Sequence, residues 1–131
     1  MPITYERDDQ RRLITVTVND PYSVDDMLGV IDRQAAEDTW RHALLYDLRA
    51  VARVATKADL ERMASRVRAV GGGRERGSVG IAVASTPEQF RMGLIYAKLT
   101  REVENVEVLL TAAQRDDWLA RNARRGSSRQ S

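Results

Sequence analysis

The chain has 131 residues, of which 43% are hydrophobic and 31% charged, a composition typical of one globular domain. It contains no cysteine and a single histidine, His42. Thiol nucleophiles, disulfides, zinc–thiolate sites and clusters of several histidines within one chain are therefore excluded. Carboxylate chemistry stays open, and we expect neither a metal site nor a cofactor.

The formal net charge of +2 has its source at the C-terminus. Four of the 21 basic side chains lie in residues 121–131, which contain no acid, so residues 1–120 carry 17 basic against 19 acidic side chains. Because this Arg- and Ser-rich end has little apolar surface to bury, we predict a domain over residues 1–120 and a flexible tail over residues 121–131. The chain has no basic motif interleaved with aromatic residues, which argues against a nucleic-acid partner.

The N-terminus and the longest apolar runs bear on localisation. Charged residues within the first nine positions occupy the place where a secretory signal needs an apolar stretch. The longest apolar runs, residues 79–84 and 92–97, have six residues each, whereas a membrane-spanning helix needs about 20. The sequence therefore predicts a soluble, cytoplasmic protein without a membrane span.

The first two elements are predicted to form an antiparallel hairpin. Apolar and polar residues alternate over residues 3–6 and 13–18, and residues 8–11 between them have turn chemistry. Asp20 and Pro21 end the second strand, and Ser23 opens a helix whose apolar residues recur at helical spacing as far as Ala35.

Strands and helices then alternate along the rest of the chain. Short apolar runs at residues 43–46, 79–84 and 106–110 predict buried strands. Helices are predicted to begin after Thr56, Thr86 and Thr111, and the helix after Thr86 runs to about Val103. All four helices start with Ser or Thr followed three residues later by an acid or amide, which is typical of a capping box. The order predicts an α/β fold with a single mixed five-stranded sheet, in which an N-terminal hairpin precedes parallel βα units, and with four helices.

Residues 71–77 are rich in glycine and arginine but do not have the order of a phosphate loop. The glycines of a phosphate loop lead from a strand into a helix, whereas these follow a predicted helix and precede a predicted strand. We interpret the segment as a flexible connection.

The carboxyl ends of the parallel strands are the predicted ligand site, since ligands of open α/β sheets collect there. Asp47, Arg49 and Ser85 follow the two central strands and could hold a small anion. The alternative is that Asp47 only bonds its own loop. As a carboxylate ending a buried strand, Asp47 is the best candidate for a functional acid, with a pKa moved toward neutrality by burial. No second acid is identifiable beside it, so no catalytic residue is assigned.

The helix that begins at Pro87 carries two apolar stripes. One stripe, formed by Phe90, Leu94 and Ala97, could cover the sheet, and the other must then meet a neighbouring helix, a second chain or a ligand. We hypothesise that this second stripe forms a homodimer interface, with packing inside the chain as the alternative. Its candidate interface residues are Met92, Ile95, Tyr96 and Leu99.

The N-terminal hairpin and three later segments together resemble the STAS domain, in its SpoIIAA-like branch of small stand-alone bacterial proteins. The three segments are residues 43–49, residues 78–84, and residues 106–110 followed by Asp117-Trp118-Leu119. The resemblance covers about residues 2–120. It implies a regulatory binding module, and in some members a phosphorylated serine begins the helix after the central strand. Where those members have Asp-Ser-Ser-Gly, this chain has Arg53-Val54-Ala55-Thr56, so Thr56 is the candidate phosphorylation site.

Three functional hypotheses follow. The first is a non-enzymatic module of STAS type that binds a protein partner or a second copy of itself. The second is a protein that binds a small anionic or lipid-like molecule between the third helix and the sheet, with Tyr96 beside the ligand and Asp47, Arg49 and Ser85 near its polar end. The third, an enzyme with Asp47 as general base, is the least favoured because neither a partner acid nor a nucleophile accompanies it.

Overall fold

A computed structural model describes residues 2–84 and 86–123 and contains one five-stranded sheet. The spatial order of the strands follows the chain, β1-β2-β3-β4-β5. The first pair is antiparallel, and every later neighbour is parallel. The predicted mixed sheet with an N-terminal hairpin is therefore confirmed. The strands are β1 (Ile3–Asp8), β2 (Leu13–Val18), β3 (Ala43–Asp47), β4 (Val79–Ala82) and β5 (Val106–Leu109).

Four helices accompany the sheet, and all four predicted capping residues are confirmed. They are α1 (Val24–Glu37), α2 (Lys57–Gly71), α3 (Pro87–Thr100) and α4 (Ala112–Asn122). The hydroxyls of Ser23, Thr56, Thr86 and Thr111 each accept a hydrogen bond from the backbone N–H three residues on. Each bond satisfies one of the donors that a helix N-terminus leaves unpaired.

Two predicted boundaries are wrong. Helix α3 ends at Thr100 rather than near Val103. The predicted tail also begins too early, because Arg121 belongs to α4 and pairs with Glu107 at 3.1 Å and Asp117 at 2.8 Å. Asp117 and Arg121 are four residues apart, a spacing at which opposite charges stabilise a helix. The rest of that segment, residues 124–131, lies outside the described residues.

The helices form two unequal layers around the sheet. Helices α1, α2 and α3 lie side by side on one face, the arrangement that right-handed crossovers between successive parallel strands produce. Helix α4 covers part of the other face, where Trp118 is fully buried. Gly80 makes room for this indole, since a Cβ at Gly80 would lie 2.9 Å from it. The residues around Trp118 are Leu13, Ala43, Leu45, Ala82 and Leu109.

A buried polar cluster, here called the amino-edge clamp, joins elements at the amino ends of the strands. Arg76 Nε donates to Glu104 Oε1 at 2.9 Å, and Arg76 Nη1 donates to Gln34 Oε1 at 2.6 Å. The guanidinium of Arg76 also lies 3.8 Å from the ring centroid of Trp40. The side chains of Arg76 and Glu104 are 2% and 0% exposed. The clamp therefore fixes the glycine-rich connection that the sequence analysis interpreted as flexible.

Within the described ranges, no helix combines the length and the apolar character needed to cross a membrane.

Candidate functional site

The loop at the carboxyl end of β3, residues 48–56, is held in place at three consecutive positions. The Gln89 amide donates to the carbonyl oxygen of Val51 at 2.6 Å, Asp20 accepts from the backbone N–H of Ala52 at 2.7 Å, and the Tyr22 hydroxyl donates to the carbonyl oxygen of Arg53 at 3.1 Å. Gln89 is buried and also accepts from the backbone N–H of residue 84 at 3.0 Å. The capping box predicted for α3 is therefore only half formed, because the Gln89 side chain bonds residue 84 and the loop instead of the backbone N–H of Thr86.

Asp47 and Arg49 form a tight pair at this edge. Arg49 donates from Nε to Oδ1 at 2.9 Å and from Nη2 to Oδ2 at 2.7 Å, and its backbone N–H adds a third bond to Oδ1 at 3.1 Å. These bonds from Arg49 lower the pKa of Asp47 and outweigh the opposing effect of partial burial. The predicted shift toward neutrality is therefore wrong, because the ion pair and not desolvation dominates.

The four residues predicted to share one ligand site do not lie together. Asp47 and Tyr46 are neighbours in a strand, so their side chains point to opposite faces of the sheet. Tyr46 and Tyr96 pack in the core beneath α1, α2 and α3, whereas Asp47 faces the side of α4. Ser85 lies outside the described residues. The structure thus separates the predicted polar end of the site from its predicted apolar end.

The first of the two resulting sites is a groove between α4 and the sheet, here called the α4 groove, with a volume of about 250 Å³. Its floor consists of the buried side chains of Leu13, Leu45 and Ala82. Charged residues and a hydroxyl line its sides; they are Arg11, Thr15, Asp47, Arg49, Arg115 and Asp116. Arg11 and Arg115 form no ion pair with any acid in the part of the chain that the structure describes.

The second site is a small, partly open space beneath α2 and α3, here called the methionine cavity, with a volume of about 30 Å³. Its walls are apolar and include three flexible side chains, Met27, Met63 and Met92. The rings of Tyr22, Tyr46 and Tyr96 also line it. An apolar space of this size holds about one or two water-sized molecules as it stands.

The predicted interface stripe of α3 is mostly turned inward. Met92 and Tyr96 are buried against the sheet, and Ile95 and Leu99 are partly buried beside the same core. Leu94, which was expected to cover the sheet, is instead 49% exposed. The buried stripe contains Gln89, Gly93 and Thr100 in addition to Met92 and Tyr96. These three residues are not identified when the buried face is predicted only from large apolar side chains at helical spacing. Met92 and Tyr96 are therefore not available at the surface for a second copy.

Thr56, the candidate phosphorylation site, is exposed at the start of α2. Its hydroxyl accepts from the backbone N–H of Asp59 at 3.1 Å, and Asp59 pairs with Arg53 at 2.8 Å. The hydroxyl thus acts as a helix cap, and phosphorylation stays a prediction.

No family model, curated protein or solved structure matches this chain. In residues 2–84 and 86–123 no group of three or more His, Asp or Glu side chains is placed to hold a metal ion. The fold and the two sites define an α/β protein with a mixed sheet, a charged groove on one face and an apolar cavity on the other. The STAS resemblance stays a prediction.

Proposed function

We propose that this protein acts by binding rather than by catalysis and that it holds a small anion with an apolar body in the α4 groove. The observation that carries this proposal is the combination of a buried apolar floor with two arginines, Arg11 and Arg115, that have no acidic partner among the described residues. Binding sites for small molecules are concave and mostly apolar, with a few polar groups that fix orientation.

The charges of the groove favour an anion. Arg49 and Asp47 neutralise each other through their paired hydrogen bonds, which leaves Arg11 and Arg115 against Asp116. This excess of positive charge attracts a carboxylate or phosphate, and arginine binds both through paired donors. The volume of about 250 Å³ suits a ligand the size of a single ring with one charged group.

The state of Asp47 supports binding over proton transfer. A general base works best when its pKa lies near the operating pH. The hydrogen bonds from Arg49 hold the pKa of Asp47 below its ordinary value, so this carboxylate is a weaker base than a free one. Both of its oxygens are also occupied by Arg49 donors. Asp47 therefore serves to orient Arg49 at the end of the groove.

Calorimetric titration with benzoate and benzyl alcohol tests this proposal, since the two probes share a ring and differ in charge. Benzoate should bind more tightly, and Arg11→Ala or Arg115→Ala should each weaken its binding about tenfold, the value of one charge-assisted hydrogen bond. Arg91→Ala is the matched control, because Arg91 is an exposed arginine of α3. Equal affinity for both probes, or benzoate binding unchanged in both groove variants, would contradict the proposal.

A second candidate function is the protein-binding module of STAS type, and the exposure of α3 favours it. Leu94 on this helix and Val54 in the β3–α2 loop are 49% and 37% exposed. We propose that self-association through this surface would place Leu94 in the contact. Light scattering over a concentration series should then show a dimer that Leu94→Ser dissociates. If the wild-type protein is a monomer at every concentration, self-association through this surface is excluded.

A further inference from the structure

We propose that a groove at the amino edge of the sheet, here called the amino-edge groove, binds a phosphate group, either free or carried by a small hydrophilic molecule. The groove has a volume of about 290 Å³ and lies where the hairpin turn, the α1–β3 connection and the α2–β4 connection meet. It shares no residue with the α4 groove. The residues that line it are Arg12, Arg41, Glu75, Arg76 and Gly77. Three arginines thus accompany one acid.

Backbone hydrogen bonds hold the walls of this groove together. The N–H of Ala43 donates to the carbonyl oxygen of Arg12 at 2.9 Å, and the N–H of Gly77 donates to the carbonyl oxygen of Trp40 at 3.0 Å. The second contact requires glycine, because a Cβ at Gly77 would overlap the carbonyl oxygen of His42. Main-chain contacts therefore fix the groove before any ligand binds, which lowers the entropic cost of binding.

Arg12 occupies a backbone conformation that suits glycine better. Its φ is 51°, in the left-handed region that residues with a Cβ rarely adopt. Its N–H closes the hairpin turn on the carbonyl oxygen of Asp9 at 3.3 Å, and glycine is the usual residue with this conformation in a short hairpin turn. Arg12 forms no ion pair in the part of the chain that the structure describes. A strained arginine with an unpaired charge, lining a groove, indicates a binding role that offsets the strain.

Arg76 supplies a buried donor to the same groove. Its side chain is only 2% exposed, and its Nε and Nη1 atoms donate to Glu104 and Gln34. The third nitrogen, Nη2, has no hydrogen-bond partner among the described residues. Because a buried donor without an acceptor is unfavourable, an anion oxygen in the groove would stabilise this nitrogen. Residues 71–77 would thus bind phosphate through a side chain, and not through the backbone N–H groups of a phosphate loop.

The charges and the polarity of the lining select a hydrophilic oxyanion. Arg41 and Glu75 pair at 3.1 Å, but their side chains are 67% and 76% exposed, so this pair is weak and Arg41 can turn to a ligand. The charge of Arg76 is matched by Glu104, and Arg12 leaves the groove with a positive excess. Planar guanidinium groups donate in pairs to phosphate oxygens. No apolar side chain lines the groove, in contrast to the apolar floor of the α4 groove.

Titration of the full chain with inorganic phosphate at constant ionic strength tests the proposal, with backbone amide signals followed by NMR. We expect saturable shifts at the amides of Arg12, Arg41 and Gly77. Arg12→Gly should weaken phosphate binding about tenfold, the value of one charge-assisted hydrogen bond. In chloride buffer the same variant should melt at a higher temperature than wild type, because glycine relieves the left-handed strain. Arg41→Gln, at an exposed position, should weaken phosphate binding about threefold.

Two control variants separate binding from strain and from overall charge. Asp38→Gly relieves the same kind of strain, since Asp38 has a φ of 58°, and it should bind phosphate at least as tightly as wild type. Arg115→Ala removes an arginine of the α4 groove and should leave the shifts at the amino-edge groove unchanged.

Glucose 6-phosphate and glucose distinguish the two sources of the phosphate group. Tighter binding of the ester than of inorganic phosphate, without binding of glucose, would assign the groove to a phosphate ester. Tighter binding of inorganic phosphate would assign it to the free ion.

Three results would overturn the proposal. The first is the absence of saturable shifts at the groove amides with both inorganic phosphate and the ester. The second is equal phosphate affinity of wild type and Arg12→Gly. The third is a lower melting temperature of Arg12→Gly than of wild type in chloride buffer, which would assign the Arg12 side chain to folding.

Discussion

The two edges of the sheet each carry an arginine–carboxylate pair of similar length in very different surroundings. At the amino edge Arg76 lies 2.9 Å from Glu104, and the side chains are 2% and 0% exposed. At the carboxyl edge Arg49 lies 2.7 Å from Asp47, and the side chains are 48% and 20% exposed. Burial, rather than distance, decides how much the loss of one partner costs, because a charge left alone in the interior cannot recover its hydration.

The two arginine–carboxylate pairs also lie beside different parts of the molecule. The amino-edge clamp ties together the end of α1, the connection from α2 to β4, and the turn before β5. The carboxyl-edge pair borders the α4 groove and is open to solvent and ligands. Removing one partner of each pair should therefore produce effects of different size and kind.

The largest effect is expected from Glu104→Ala. This change leaves the Arg76 charge buried without its carboxylate, and such changes cost about 3–5 kcal/mol of unfolding free energy. Urea unfolding, followed by tryptophan fluorescence, measures it. The double variant Arg76→Met/Glu104→Leu should recover much of the loss, since it removes both charges. A cost below about 1 kcal/mol for Glu104→Ala would mean that water reaches Arg76.

A smaller effect at the same edge is expected from Gly71→Ala. A Cβ at Gly71 would overlap the indole of Trp40, the ring that stacks on Arg76. Overpacking of this kind costs about 1–3 kcal/mol, which thermal unfolding would report. Gly29→Ala in α1 is the matched control, because nothing lies within 4 Å of its added Cβ. That control should gain stability through helix propensity. Equal behaviour of the two variants would show that Trp40 can move aside.

At the carboxyl edge Thr111→Ala is expected to cost about 1 kcal/mol, the usual value of a capping side chain. The Thr111 hydroxyl accepts from the backbone N–H of Gln114 at 3.1 Å, and this bond is lost. Hydrogen exchange of the first turn of α4 should accelerate. Thr111→Ser keeps the hydroxyl and should restore protection. Unchanged exchange in Thr111→Ala would show that α4 is held by Trp118 alone.

The smallest effect is expected from Asp47→Ala, at about 0.2–1 kcal/mol, because the pair is partly solvated. The pKa of Asp47 is lower in the folded protein than in the unfolded chain. The stability that the ionised Asp47 adds to the fold is therefore complete above the ordinary carboxyl pKa and is lost as the pH falls through the folded-state pKa. Melting temperatures of wild type and variant should differ at pH 7 and converge in acid, once the pH has fallen below the lowered pKa of Asp47. A difference that grows on acidification would contradict the lowered pKa.

The sequence by itself determined the elements, the order of strands and helices, and the four capping residues. These signals are local: strand alternation and helical spacing depend on adjacent residues, and each cap joins positions three residues apart. They also placed Asp47 and Arg49 together, since the two residues are two positions apart at one strand end.

Only the tertiary structure decided which face each side chain occupies and which charges are buried. Arg76 meets Glu104 across 28 residues and Gln34 across 42, and no spacing along the chain encodes such contacts. The stripe of α3 that faces the sheet contains Gln89, which is polar but buried because the loop at residue 51 supplies its partner. The physical reason is that hydrogen-bond partners from distant elements can make burial of a polar side chain favourable, whereas hydrophobicity along one helix cannot reveal those partners.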